Sequence, residues 1–135
     1  MGGNRQPLQV FIADDSKPVA EMLIELISAP GRIEIAGVCE TEAAAIEAIQ
    51  RIRPDVVVLD LQLKIGSGTN VIKAVRANGA LAGIILVIVS NHTSPQLKAG
   101  CLELGANAYF DKVNEIGELM NRLTQLDEEK AMRLA

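Results

Sequence analysis

The chain has no tryptophan, one tyrosine and two phenylalanines in 135 residues. So little aromatic surface argues against stacking platforms for nucleobases or a flavin ring. Histidine occurs once, as His92, and cysteine twice, as Cys39 and Cys101, far apart and without a CxxC or Cys-His grouping. Both thiols are read as reduced and packed, as in a cytoplasmic protein. Basic residues are in the minority, 13 against 17 acidic, and a net charge of −4 speaks against direct nucleic-acid binding. No apolar run is long enough to span a bilayer, and the polar, Gly-rich leader Met1 to Gln6 lacks the apolar core of a signal peptide. The expectation is a soluble cytoplasmic protein with no membrane partner. One domain over residues 1–135 is expected, with a core from about 8 to 126 and a charged C-terminal tail. A chain of this size buries roughly 70% of its unfolded surface.

What is present is a series of apolar runs that each end in a polar residue. Leu8 to Ala13 leads to Asp14-Asp15, Val56 to Leu59 to Asp60, and Ile84 to Val89 to Ser90. The shorter Ala108-Tyr109-Phe110 leads through Asp111 to Lys112. Continuous β-branched runs suit strands covered on both faces, as in a parallel sheet. Arg32 to Cys39 instead alternates at Ile33 and Ile35, which suits an edge strand. Helical spacing fills the intervals. Ser16, Thr41 and Ser94 are candidate caps, with Pro18 and Pro95 in first turns, and Asn114 can cap the last helix. Leu97, Cys101 and Leu104 are expected to be buried at i, i+4, i+7, and Glu128-Glu129-Lys130 reads as a solvated helix end. Five βα units with right-handed crossovers predict an α/β, doubly wound, flavodoxin-like five-stranded parallel sheet with five helices and order 2-1-3-4-5.

Ligands of open parallel sheets bind beyond the carboxyl ends of the strands. Asp14, Asp15, Asp60, Ser90 and Lys112 all fall at that edge. Gathered carboxylates repel one another, and a hard divalent cation with oxygen ligands, Mg²⁺ rather than Zn²⁺, relieves the repulsion. An acidic site with a cation and an amine suits a phosphoryl group, and Asp60 is its natural acceptor as an acyl phosphate. Taken singly the signals are weaker: Asp14-Asp15 also fits a turn and helix cap, and Tyr109 a half-buried strand residue. His92 reads as a solvent-facing loop residue. Gly66-Ser67-Gly68 lacks the lysine and spacing of a phosphate loop.

In combination, Asp14-Asp15, Asp60, Ser90 and Lys112, with Gly68 and Tyr109, resemble the receiver domain of two-component response regulators, particularly the single-domain chemotaxis type. The resemblance spans Leu8 to about Leu126. It implies phosphorylation of Asp60 by a sensor histidine kinase or phosphotransfer protein, and a downstream protein target. It implies Mg²⁺ on Asp15, Asp60 and the backbone carbonyl of Gln62, with Asp14 acting mainly through water. Ser90 and Lys112 would bind the phosphoryl oxygens, and Tyr109 would change rotamer as the switch. Three positions depart from the pattern: Val113 stands where a cis proline is usual, Lys64 where proline is common, and Asn91 where a small residue is usual. A non-proline cis bond costs about 2.5–4 kcal/mol, which favours trans at Lys112–Val113 without deciding it.

The leading reading is a phosphoacceptor signalling module, not an enzyme with a separate substrate. A degenerate receiver acting only as a protein-interaction module is the alternative. A phosphohydrolase would need a positioned acid/base near Asp60, and Gln62 has no titratable group.

Overall fold

The computed structural model describes residues 6–133. The leader expected at Met1 to Gln6 lies outside these residues except for Gln6, which is exposed. Five strands alternate with five helices: β1 (Leu8–Ala13), α1 (Lys17–Ile27), β2 (Ile33–Cys39), α2 (Glu42–Ile52), β3 (Val56–Asp60), α3 (Gly68–Ala77), β4 (Ile85–Ser90), α4 (Pro95–Leu104), β5 (Ala108–Asp111) and α5 (Ile116–Arg133). A 3₁₀ turn, Gly79–Leu81, precedes β4. The sheet is parallel throughout, in the order β2-β1-β3-β4-β5. This is the flavodoxin-like arrangement expected from the alternation of runs.

Every residue of β3 is buried, because it lies mid-sheet with a helical layer on each face. Successive side chains go to opposite faces, so each strand feeds two cores. Val57, Leu59, Leu86 and Ile88 pack with Ile49, Ile72, Val75 and Cys101 under α2, α3 and α4. Val56, Val58, Val87 and Val89 pack with Leu23, Ile27, Leu119 and Leu123 under α1 and α5. The edge strand β2 has a single buried residue, Ile33, and a register shift opposite Val10/Phe11.

Helix starts follow local chemistry. Ser16, Thr41, Ser67 and Ser94 each accept a backbone N–H three residues on, from Val19, Ala44, Asn70 and Leu97. Three expectations are corrected. Asn114 does not cap α5: the Glu115 carbonyl accepts the Leu119 N–H, while the Asn114 N–H turns back to Asp111. Leu97 is exposed, Leu104 is half-buried and only Cys101 of α4 is fully buried, so the helix turns one narrow apolar line inward. Glu128 and Glu129 are exposed, but Lys130 is not a solvated end. Its Nζ bonds the Pro7 carbonyl (3.0 Å) and Asp55 Oδ2 (2.8 Å), tying α5 to the base of the sheet.

Candidate functional site

Strand register sets the site. Ala13 pairs with Leu59, Asp60 with Val89 and Ser90 with Asp111, so the residues ending β1, β3, β4 and β5 share one edge. Asp14 and Asp60 are buried there, and Asp15 is exposed. Carboxylate oxygens of Asp14, Asp15 and Asp60 lie within 4.8 Å of one another. Lys112 Nζ sits 2.7 Å from Asp14 Oδ2 and 2.8 Å from Asp60 Oδ2. Both contacts are buried, short and charge-assisted. The other oxygens face backbone: Asp14 Oδ1 accepts the Ser16 N–H and Asp60 Oδ1 accepts the Gln62 N–H.

Burial pushes the Asp60 carboxyl up to about 6; Lys112 opposes the shift and the neighbouring Asp14 adds to it. Burial also works against the Lys112 ammonium, but its bonds to Asp14 and Asp60 outweigh that and raise its pKa. Three acids against one amine leave excess negative charge in a small space. The donor set is oxygen only, which fits a hard divalent cation such as Mg²⁺. Asp14 Oδ2 already meets the Lys112 ammonium, so the exposed Asp15 carboxylate is the one the amine leaves uncompensated in the cluster.

The remaining expected residues are close by. Gln62 is exposed two positions beyond Asp60. Gly68 opens α3 against the end of β3: a Cβ there would meet the Asp60 carbonyl oxygen and lie 2.9 Å from Leu61 Cα. Only glycine allows that approach. Ser90 is buried, and its Oγ accepts the His92 N–H and donates to the His92 carbonyl, both at 3.1 Å. The Tyr109 ring is buried, and its hydroxyl donates to the same carbonyl at 2.9 Å. The His92 side chain is exposed, so it is the backbone of His92 that joins serine to tyrosine. Among the described residues no peptide bond is cis, so Lys112–Val113 is trans, and Lys112 still reaches both carboxylates.

Two supporting residues escaped the sequence reading. Glu42 Oε1 accepts the Ser67 N–H and Asn70 Nδ2, both at 3.0 Å, and the Glu42 N–H donates to the Ile65 carbonyl. These bonds pin the loop after Asp60 to the start of α2. Asp111 accepts the Val113 and Asn114 N–H groups in the turn carrying Lys112; an aspartate directly before a turn is the one local signal for it.

The response regulator receiver domain family matches residues 10–124. This chain belongs to that family. Among curated proteins, a protein-glutamate methylesterase/protein-glutamine glutaminase 2 of Anaeromyxobacter dehalogenans is 31% identical over 88% of this chain and 34% of its own length. The corresponding protein of a Nocardioides species is 26% identical over 90% of this chain and 33% of its own length. The receiver therefore spans about one third of these relatives, and the activities in their names belong to proteins much longer than this chain. Among solved structures, the receiver domain of the putative response regulator NarL from Mycobacterium tuberculosis superposes with a TM-score of 0.81 at 25% identity. That match covers 91% of this chain and 98% of the other. Among the described residues, no helix of this receiver is long and apolar enough to cross a membrane.

Proposed function

We propose that this receiver is a cytoplasmic phosphoacceptor of a two-component phosphorelay, taking a phosphoryl group on Asp60 from a sensor histidine kinase or phosphotransfer protein. The observation that carries the reading is Lys112, buried between Asp14 and Asp60 with Asp15 alongside. Asp15, Asp60 and the Gln62 carbonyl would hold Mg²⁺, with Asp14 acting through water. When bound, the ion would neutralise the carboxylates and the phosphoryl oxygens. With a pKa of about 6, Asp60 is largely ionised at pH 7 and is the nucleophile. Its oxygen attacks phosphorus; a P–O bond forms as the donor's P–N bond breaks, and the electron pair leaves with the donor imidazole. Lys112 and Ser90 receive the transferred phosphoryl oxygens.

To do so, the Ser90 hydroxyl turns away from the His92 carbonyl and leaves that acceptor to Tyr109 alone. The buried Tyr109 rotamer is then favoured over an outward one, which is how a local bond biases a surface. A ligand shifts an equilibrium only by binding its states differently, and here the phosphoryl group competes for Ser90. The readout is a partner protein at the face of α4, β5 and α5. Net acidity supports a protein rather than nucleic acid as that partner, and the chain acts on no separate substrate. Incubation with phosphoramidate and Mg²⁺, followed by intact-mass spectrometry, is expected to give one adduct on Asp60 and none in Asp60→Asn. An undiminished adduct in Asp60→Asn would remove Asp60 as acceptor, and no adduct in the wild type would favour a phosphorylation-independent interaction module.

A further inference from the structure

The Lys112 side chain spans two carboxylates, yet little packing holds the loop that carries it. Val113, next in the chain, is 75% exposed, and Asn114 is exposed as well. The loop is held instead by one carboxylate. Asp111 Oδ1 accepts the N–H groups of both Val113 (2.8 Å) and Asn114 (2.9 Å). Asp111 Oδ2 accepts the Thr93 hydroxyl at 3.0 Å, reaching into the loop that follows Ser90. Its backbone is fixed too: the Asp111 N–H donates to Glu115 Oε1, and its carbonyl accepts the Glu115 N–H, both at 2.9 Å. The Lys112 N–H donates to the Ser90 carbonyl at 3.0 Å. Asp111 thus stands where the loops delivering Ser90 and Lys112 meet, and it is bonded to both.

We infer that Asp111, braced by Thr93, is the positioning residue for Lys112, fixing the root of its side chain so that the ammonium meets the acceptor site. The inference rests on the phosphoacceptor reading. The geometry gives the reason. A lysine has four rotatable side-chain bonds, so its ammonium is localised only when its Cα and the following backbone are held. Asp111 accepts the two N–H groups that would otherwise let residues 112–114 swing outward, and its second oxygen is anchored on the neighbouring loop. The N–H groups of Asn114 and Val113, followed by the Thr93 hydroxyl, hold the Asp111 carboxyl below the usual carboxylate range, so it is an acceptor at neutral pH.

The test uses the full chain with three substitutions, Asp111→Ala, Asp111→Asn and Thr93→Val. Phosphorylation by phosphoramidate is timed, Mg²⁺ affinity is titrated, and the Lys112 ammonium is followed as its ¹⁵N-coupled resonance. Asp111→Ala is expected to phosphorylate about tenfold more slowly, since a misplaced group of this kind costs rate rather than ground-state binding. Its Mg²⁺ affinity stays at the wild-type value, and its Lys112 ammonium resonance broadens or disappears. Asp111→Asn keeps an acceptor oxygen for the two N–H groups and recovers both the rate and the resonance. Thr93→Val falls between. A wild-type rate and resonance in Asp111→Ala, an Asp111→Asn as slow as alanine, or a parallel loss of Mg²⁺ binding would each overturn the inference. If the wild type takes up no phosphoryl group, the phosphoacceptor reading fails, and the ammonium resonance alone decides the positioning role.

Discussion

Asp60 is buried at the end of a fully apolar strand, and that environment gives it a testable titration. Its pKa of about 6 lies above the ordinary carboxylate value near 3.9, so the folded state holds the proton more tightly than the unfolded chain. Stability from this group is fully present below the unfolded pKa and is lost as pH rises through about 6. Metal-free protein is therefore expected to carry a penalty at pH 7 on the order of 1–3 kcal/mol that Asp60→Asn does not. Urea unfolding of both proteins at pH 5, 6 and 7 without metal reads the difference, which widens with pH. A difference that narrows would contradict the environment assigned to Asp60. On the proposed function Asp60 holds Mg²⁺ as a carboxylate, so Mg²⁺ affinity is expected to fall as pH drops through the same range.

Among the elements, α5 departs most from its sequence signature. Its last turns are charged, yet Asp127 is 1% exposed and accepts Arg32 Nε (3.1 Å) and a terminal guanidinium nitrogen (2.8 Å), while Lys130 joins Asp55 and Pro7. These bonds fasten the helix to the loop before β2 and to the bases of β1 and β3. Ending the chain after Leu126 removes them and leaves Asp55 without its ammonium partner. The expected cost is about 2–4 kcal/mol, from the lost pairs and the loosened final turns. Urea unfolding measures it, and an unchanged midpoint would show that the extension is decorative. The acidic cluster lies at the opposite edge of the sheet, so Mg²⁺ affinity should survive the truncation.

At the scale of the whole molecule, the helices are not equally secured. α4 buries only Cys101 fully, with Leu97 and Leu102 exposed, whereas α1 buries Ala20, Leu23 and Ile27. Elements with little buried apolar surface move at least cost. Ser90, His92 and Tyr109 sit at the root of α4, so release of the Ser90 hydroxyl should be felt there first. On phosphorylation, amide chemical-shift changes remote from the acidic cluster should concentrate between Ser90 and Leu126. Changes confined to α1 and α2 would place the output elsewhere.

The sheet order and the acid–amine cluster were legible because both are written locally. Each strand is a short apolar run, and Asp14, Asp60 and Ser90 directly end or follow one, so period and chain direction alone place them at one edge. The isomer at Lys112–Val113, the two hydrogen bonds from Ser90 and Tyr109 to the His92 carbonyl, and the roles of Asp111 and Glu42 were not legible. Asp127 and Lys130 read as surface charges because their partners Arg32 and Asp55 lie 95 and 75 residues away. Hydrophobic periodicity is a property of neighbouring residues, and it determined the strands, their burial and the edge that carries the chemistry. A polar side chain acquires its partner only when crossovers bring distant loops together. Tertiary structure therefore decided which carboxylate meets the Lys112 ammonium, which braces a loop and which clamps a helix.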